Sequence, residues 1–246
     1  MEWFHVTPLF LLPRILADRG LLCGADLDNA GSPRRASSRN DDNRQVDSLE
    51  GQRPSDFVLL FRTRMSPLLD EKIRGTRKPG RVWNAYPHAR LEFAASECMK
   101  LAGGQVYGSF ENVGRLLKRG EKPTITVYRS KEAVAAAKVQ EIMLAACSLE
   151  RRMLSLSALQ RITVFSHADQ ILVKRHLEWA AIDKERTVVV DLKEGQPRYP
   201  MYAESQNDGP GREFLNLTRE LYNAIWESDR GRQATLLTQL SDACFD

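Results

Sequence analysis

Short apolar runs separated by polar stretches dominate the first two-thirds of the chain. Phe57-Val58-Leu59-Leu60-Phe61 is continuous and lies between Pro54 and Pro67, a pattern that predicts a buried strand. Other short segments are rich in β-branched or apolar residues, and each predicts a further strand. These segments are 3–7, 124–128, 141–146, 161–165 and 187–192.

Apolar residues at helical spacing occur between these strands. Near the start, Leu9, Leu12 and Leu16 recur at three- and four-residue intervals, and the hydroxyl of Thr7 before Pro8 is typical of a helix N-terminus. The glycine at position 20 is expected to end this helix. Further helices are predicted at 92–101, 111–119, 131–138 and 167–181. Without the regular alternation of a doubly wound sheet, this mixture predicts the α+β fold class.

Two regions depart from the pattern. Residues 24–55 contain few apolar side chains and predict a long polar loop, which is either a binding loop or a mobile flap. Beyond 192 the chain is rich in Gly and Pro, and helical spacing returns over 212–244. We therefore expect a domain over 1–192 and a C-terminal helical extension within 193–246. That extension is either an appendage or a helix packed on the same domain.

Composition narrows the class of protein. The chain has 246 residues, of which 42% are hydrophobic and 28% are charged, as in ordinary globular proteins. No apolar run is long enough for a membrane span, and Pro13 and Arg14 interrupt the N-terminal apolar stretch, so neither a membrane anchor nor a signal peptide is predicted. A cytoplasmic protein is expected. The four cysteines lie far apart, which favours reduced, buried thiols over disulfides or a zinc ribbon.

Charge is distributed unevenly. The net charge is +4, yet residues 32–90 hold thirteen Arg and Lys residues against seven acidic ones. Within this region, the segment 72–81 carries five basic residues and no acid. It is either a solvated, mobile loop or a surface that binds a polyanion, because guanidinium groups suit phosphate oxygens.

Several catalytic signatures are absent from the sequence. It contains no G-x-x-x-x-G-K-[ST], no G-x-G-x-x-G, no H-E-x-x-H and no G-x-S-x-G. This argues against ATPases, dehydrogenases, zincins and α/β-hydrolases. The four histidines are too scattered to indicate a metal cluster, and no metal is predicted.

What remains is an ordered set of short motifs. A Phe4-His5-Val6-Thr7 start, a helix ending in Gly-Leu-Leu and an arginine-bearing polar loop precede Asp56-Phe57-Val58 and Ser66-Pro67-Leu68-Leu69. Later, Lys138-Val139-Gln140-Glu141-Ile142-Met143-Leu144 is followed by Ile162-Thr163-Val164-Phe165-Ser166. In this order, the set resembles the DarT family of NAD-dependent ADP-ribosyltransferase toxins that modify single-stranded DNA. The resemblance covers about residues 1–192.

The resemblance implies an ADP-ribosyltransferase fold, with two short packed sheets around an NAD cleft. It also implies that Glu141 is catalytic and that His5 and Thr7 bind NAD. The functional arginine of the family falls between Arg39 and Arg44, which we treat as candidates for NAD binding and catalysis respectively. The alternatives are a surface glutamate at a strand start, a core histidine and a helix-capping threonine.

The sequence departs from the family pattern at two places. The arginine before Ser-Pro falls on Met65, unless a one-residue shift brings Arg64 into register. A Thr-Asp-x-His segment is replaced by 108–112, which has no histidine. These changes put the identity of the modified base in question. The candidate nucleic-acid-binding residues are Arg64, Arg74, Arg77, Lys78 and Arg81, with Trp83 and Tyr86 as candidate stacking rings.

The implied activity transfers ADP-ribose from NAD, a co-substrate, to a nucleobase of single-stranded DNA and releases nicotinamide. RNA is the second candidate acceptor. Such an enzyme harms its own cell, so the resemblance also implies a toxin-antitoxin system with a cognate antitoxin, consistent with phage defence. The alternative from another class is a non-catalytic nucleic-acid- or protein-binding module with this fold.

Overall fold

A computed structural model describes residues 1–29, 45–64, 88–165, 167–182 and 188–191, and within the C-terminal region 216–217, 220–221, 223–224, 227 and 229–245. The strands are β1 (Glu2–Pro8), β2 (Gly20–Leu22), β3 (Phe57–Phe61), β4 (His88–Ala94), β5 (Val106–Ser109), β6 (Ile125–Tyr128), β7 (Glu141–Ala145), β8 (Met153–Ser155), β9 (Leu159–Val164) and β10 (Val188–Val190). The helices are α1 (Leu12–Ala17), α2 (Gly24–Asn29), α3 (Ala95–Leu101), α4 (Val113–Lys118), α5 (Lys131–Ala136), α6 (His167–Trp179) and α7 (Arg230–Phe245).

The chain divides into two compact units. The first contains Met1–His5, Gly20–Ser66 and Leu91–Gln160, and the second contains Val6–Arg19, Pro67–Arg90 and Arg161–Asp246. In the second unit β9 and β10 pair in parallel, and α1 contacts both α6 and α7. The boundary expected between 192 and 193 stays a prediction.

In the first unit, antiparallel pairs connect the strands in the order β1-β3-β7-β5-β6. The register aligns Phe61 of β3 with Glu141 of β7, and Glu141 with Ser109 of β5. A separate ribbon pairs β2 with β8. Polar residues thus lie at one end of the β3-β7-β5 ladder, and its other residues are mainly apolar.

A hydrophobic core covers one face of this ladder. Alternation along a strand places Phe57, Leu59 and Phe61 on the same face, and the residues paired with them on β7 and β5 share it. Burying each large apolar side chain stabilises the fold by about 1.5–3 kcal/mol. The cluster consists of Val46, Leu49, Phe57, Tyr107, Val113, Leu117, Met143 and Ala145, with Leu59 and Ile125 packed against it.

Local signals explain the helices around this core. Asn112 is the N-cap of α4, and its side-chain oxygen accepts a hydrogen bond from Arg115 N. Gly120 follows α4 with φ of +76°, in the left-handed region that glycine adopts at little cost. Ser130 caps α5 in the same way, by accepting from Ala133 N. These caps satisfy backbone groups that have no partner inside the helix.

The expected strands over 57–61, 124–128, 141–146, 161–165 and 187–192 are confirmed as β3, β6, β7, β9 and β10, within a few residues at their ends. The start of the N-terminal helix differs from the expectation in part. β1 continues through Pro8, a 3-10 helix occupies Leu9–Leu11, and α1 begins at Leu12 with Pro13 in its first turn. The left-handed position after α1 is Arg19, with φ of 60°, and Gly20 already belongs to β2.

Two other expectations are corrected. Residues 92–94 are not helical: they end β4, in which His88, Arg90 and Glu92 alternate with apolar residues at the two-residue period of a strand. The polar region 24–55 is not a continuous loop, because α2 begins at Gly24 and short 3-10 turns occupy Asp47–Leu49 and Pro54–Asp56. Strands β2, β4, β5 and β8 were not predicted.

Candidate active site

Glu141 is the first residue of β7 and lies in the register row between Phe61 and Ser109. Only 1% of its surface is exposed. The interpretation of Glu141 as a surface glutamate is therefore wrong. A buried carboxylate is costly unless fixed donors replace its lost water.

Two such donors hold the Glu141 carboxylate. Asn112 Nδ2 donates to Oε1 at 2.7 Å, and Val113 N donates to Oε2 at 2.7 Å. Because the Asn112 oxygen also caps α4, one amide links the helix N-terminus to the carboxylate. Val113 N is one of the first-turn N–H groups that have no partner within the helix. The orientation of Glu141 is thus set by α4, which is itself anchored by Val113 and Leu117 in the core.

The segment that leads into Glu141 is also fixed. Arg62 N donates to Gln140 O at 3.0 Å, and Arg62 Nε donates to Val139 O at 2.7 Å. Gln140 N donates to Ser109 O at 2.9 Å. Lys138 adopts φ of 56°, a left-handed turn immediately before this segment. The backbone on both sides of Glu141 is therefore restrained by β3 and β5.

His5 lies on β1 in the first unit and is half-buried. Its Nδ1 lies 3.0 Å from Leu59 O. Since a carbonyl oxygen only accepts, Nδ1 carries the proton, and the neutral ring has its lone pair on Nε2. The neighbouring Phe4 pairs with Phe61, so β1 lies two strands from Glu141, or about 10 Å away in the sheet.

Thr7 is buried in β1 and belongs to the second unit. Its expected alternative role as a helix cap is wrong, because the strand continues past it and the N-cap of α1 is Leu11. A role in NAD binding stays a prediction for both His5 and Thr7.

Arg64, expected to bind nucleic acid, lies within 4.0 Å of Glu92, measured from Arg64 Nη2 to Glu92 Oε2. The Glu92 side chain is fully buried, and that of Arg64 is half exposed. The positive charge of Arg64 thus partly offsets the negative charge of a buried carboxylate on β4. The other predicted basic and stacking residues lie outside the described residues: Arg39, Arg44, Arg74, Arg77, Lys78, Arg81, Trp83 and Tyr86.

Sequence reasoning missed three residues of this region. Asn112 falls in the segment noted only for lacking a histidine, and that departure was the available signal. Arg62 carried no signal, because its contacts with 139–140 are long-range. Glu92 was assigned to a helix, although the alternation of polar and apolar residues from His88 onward is typical of a strand.

Cys23, Cys98 and Cys147 are free thiols. Burial raises the pKa of the Cys98 thiol to about 12, and burial also raises the pKa of Cys23. Cys147 is exposed, so the expectation that it is buried is wrong. No group of three or more His, Cys, Asp or Glu residues that could hold a metal occurs in the described part of the chain. Within that part, no helix is long and apolar enough to cross a bilayer.

No family model and no curated protein matches the chain. Solved structures do match it. Thermus sp. 2.9 DarT in complex with NAD+ has a TM-score of 0.56 at 18% identity, covering 79% of this chain and 96% of that chain. The same protein in complex with ADP-ribosylated ssDNA has a TM-score of 0.56 at 16% identity, covering 79% and 95%. Thermosipho africanus DarTG in complex with ADP-ribose has a TM-score of 0.53 at 11% identity, covering 78% and 50%.

These likenesses establish the fold. The chain has the α+β fold of the DarT structures, and the predicted resemblance to that family is confirmed at the level of the fold.

Proposed function

We propose that this protein is an ADP-ribosyltransferase that transfers ADP-ribose from NAD to a nucleobase of single-stranded DNA and releases nicotinamide. The observation that carries the proposal is Glu141, a buried carboxylate whose two oxygens are held by donors at 2.7 Å. The DarT structures of the same fold, in complexes with NAD+ and with ADP-ribosylated ssDNA, support the choice of substrates.

The chemistry suits such a carboxylate. The bond between nicotinamide and the ribose C1 breaks, its electron pair leaves with nicotinamide, and the ribose becomes cationic as an oxocarbenium ion. A fixed negative charge beside the ribose stabilises that state, and a carboxylate oxygen can accept a hydrogen bond from the 2′-hydroxyl. A base nitrogen or oxygen then forms the new bond to C1 and loses a proton, which the carboxylate can accept.

The two observed hydrogen bonds fix the orientation of this carboxylate. Asn112 Nδ2 donates to Oε1 and Val113 N donates to Oε2, so each oxygen has a fixed donor. Positioning that is completed before the substrate binds need not be achieved during the reaction.

NAD recognition is assigned to His5, Thr7 and the loop arginines Arg39 and Arg44. With Nδ1 bonded to Leu59 O, Nε2 is the ring nitrogen of His5 that would accept a hydrogen bond from a ribose hydroxyl. Arginine side chains suit the pyrophosphate of NAD, because their fork of N–H donors matches phosphate oxygens. The assignment of Arg44 to catalysis and Arg39 to NAD binding rests on the resemblance alone.

Acceptor binding is assigned to Arg64 and to the basic segment with Arg74, Arg77, Lys78 and Arg81. Contacts from basic side chains to phosphates make affinity fall steeply as salt rises. A base inside a duplex is out of reach of the reaction, so single strands should be the better acceptors. The toxin-antitoxin partner, a cognate antitoxin that silences the enzyme or removes the modification, belongs to the same proposal.

The test is to incubate the purified protein with labelled NAD and, separately, single-stranded DNA, RNA, duplex DNA and cell protein at rising salt. We expect labelling of single-stranded DNA that falls with salt, and weaker labelling after Arg77, Lys78 and Arg81 are changed to Ala. Labelling of RNA alone would show that the acceptor is RNA and not DNA. Binding of nucleic acid with no release of nicotinamide would identify a non-catalytic module, and labelling of protein alone would refute a nucleic-acid acceptor.

A further inference from the structure

Phe110 is an aromatic side chain left largely in water next to the candidate catalytic carboxylate. Its exposed fraction is 51%, and no other aromatic residue is among the large exposed hydrophobic side chains of the described residues. The residue before it, Ser109, is buried at 1% exposed, and the next apolar residue, Val113, is also 1% exposed. Packing of the core therefore does not account for a phenylalanine at this position.

The backbone places Phe110 close to Glu141. Phe110 directly follows Ser109, which pairs with Glu141 across the β5-β7 ladder. Consecutive Cα atoms are about 3.8 Å apart and paired ones about 5 Å, so the Cα atoms of Phe110 and Glu141 lie within about 9 Å. Two residues further on, Asn112 donates directly to Glu141. Phe110 thus lies in the short turn whose two ends both contact the site.

This turn is restrained on both sides of the ring. Glu111 N donates to Ser109 Oγ at 3.4 Å, and Asn112 is held between Arg115 N and Glu141. Arg119 Nη2 donates to Glu111 Oε2 at 3.1 Å. A ring on a restrained backbone loses little further freedom when a ligand binds it, which favours affinity.

The charges next to Phe110 fit a phosphate-bearing ligand. Two basic residues of α4 have exposed side chains, whereas Arg119, which follows the helix, is paired with the carboxylates of Glu111 and Glu121. An exposed ring beside basic groups is typical of surfaces that bind single-stranded nucleic acid, where rings stack on bases and cations contact phosphates. The two basic residues of α4 are Arg115 and Lys118.

We propose that Phe110 stacks on an unpaired nucleobase of the acceptor strand and so holds that strand against the site of Glu141. The inference rests on the proposed function and adds a specificity residue to it. Stacking is available only to bases that have left a duplex, and every base has a face that can stack. Phe110 thus selects for single strands and tolerates changes of sequence at the stacked base.

The experiment compares Phe110→Ala with Phe110→Trp, and uses Val127→Ala as a matched control that removes apolar surface from another exposed position, 42% exposed on β6. Three quantities are measured for each protein: the KM for a single-stranded DNA oligonucleotide at saturating NAD, the affinity for NAD, and the affinity of a fluorescein-labelled oligonucleotide. Because Phe110 is exposed, melting temperatures should stay within a few degrees of the wild-type value.

We expect Phe110→Ala to raise the oligonucleotide KM and Kd by about 5- to 150-fold, the range of base stacking on one ring, with NAD affinity unchanged. Phe110→Trp should keep the oligonucleotide KM and Kd within a few fold of the wild-type values. Val127→Ala should have the wild-type values. If the wild-type protein transfers ADP-ribose to DNA and Phe110→Ala has the same KM and Kd for the oligonucleotide, the inference about Phe110 is wrong and the proposed function stands. An equal loss of NAD affinity also overturns the inference, by indicating a role at the NAD site. A wild-type protein that neither binds nor modifies nucleic acid overturns the proposed function as well.

Discussion

Glu141 in the first unit and His176 in the second are buried to nearly the same degree, yet their surroundings have opposite effects. Around Glu141, donors from Asn112 and Val113 meet both carboxylate oxygens. Around His176 on α6, burial dominates and lowers the pKa of the imidazole to about 3. Burial by itself favours the neutral form of a side chain, whereas burial with fixed donors accommodates a charge.

The difference separates a region suited to chemistry from one suited to stability. A carboxylate restrained on both oxygens is already oriented for a cationic transition state. A neutral, buried imidazole on a helix contributes to the core. At acid pH it lowers the free energy of unfolding, because the unfolded chain takes up a proton that the folded chain does not. Predictions at four positions test this contrast.

The largest effect is expected for Glu141→Gln, which keeps the shape of the side chain and removes its charge. Transfer should fall by about a hundredfold or more, and NAD binding should stay within a few fold, because the charge acts mainly on the transition state. Labelling rates and NAD titration measure the two effects. The new amide NH₂ must also face Asn112 Nδ2 or Val113 N, both donors, so unfolding free energy should drop by about 1–3 kcal/mol.

Glu111→Gln is the matched control for this variant, since it makes the same change at an exposed carboxylate in the same turn. It should leave the transfer rate close to that of the wild-type protein. Near wild-type transfer by Glu141→Gln would show that Glu141 is not the catalytic carboxylate.

The second effect comes from Asn112, through the pair Asn112→Ser and Asn112→Asp. Both residues cap helices well, so α4 keeps its N-terminus in either variant. Serine removes the donor to Glu141 and should lower transfer by about tenfold, the scale of one hydrogen bond to a charged group. Aspartate adds a carboxylate where the donor was, and the repulsion should raise the pKa of one carboxyl of the pair.

The proton shared by the two carboxyls makes the rate of the Asp variant depend on pH in a way that differs from the wild-type protein, while the Ser variant should keep the wild-type pH profile. Activity measured from pH 5.5 to 9 distinguishes the two. If both profiles match the wild type at unchanged rate, the contact between Asn112 and Glu141 does not serve catalysis.

The same contrast shows what the sequence can and cannot predict. β3 and β7 were predictable because a continuous apolar run buried on both faces leaves few alternatives. β4 was missed because His88, Arg90 and Glu92 are polar yet buried, and composition suggests exposure for such residues. The helix start was misplaced because a threonine before a proline is compatible with a strand as well as with a cap.

Within the candidate site, Glu141 was found through a short ordered motif, whereas Asn112 and Arg62 were not. Their contacts join residues 29 and 77 positions apart in the chain, and only the strand register brings them together. Long-range pairing of this kind has no local signal in one sequence. The departure from the family pattern at 108–112 indicated the right segment without indicating its contact.

The third effect concerns stability through His176. Its folded-state pKa of about 3 lies below the ordinary value of 6.5, so the stabilisation is present above pH 6.5 and is lost as pH falls towards 3. Between pH 7.5 and 5.5, the wild-type protein should lose about 1.4 kcal/mol more unfolding free energy than His176→Leu. Urea unfolding at the two pH values measures this difference, and groups common to both proteins cancel. Equal losses would show that His176 does not titrate on unfolding.

The smallest effect is expected for His5, a half-buried imidazole that contrasts with the buried one at 176. Because Nδ1 bonds to Leu59 O, a ligand role of His5 depends on Nε2. His5→Ala should weaken NAD binding by about 2- to 12-fold, the range of one neutral hydrogen bond, with little change in melting temperature.

His5→Asn is the matched variant, because its amide N–H can keep the bond to Leu59 O while the acceptor at the position of Nε2 is lost. It should therefore bind NAD as weakly as the alanine variant and melt like the wild type. If NAD affinity is unchanged in both variants, or if stability and affinity fall together in both, His5 is a structural residue of β1 and not a contact for NAD.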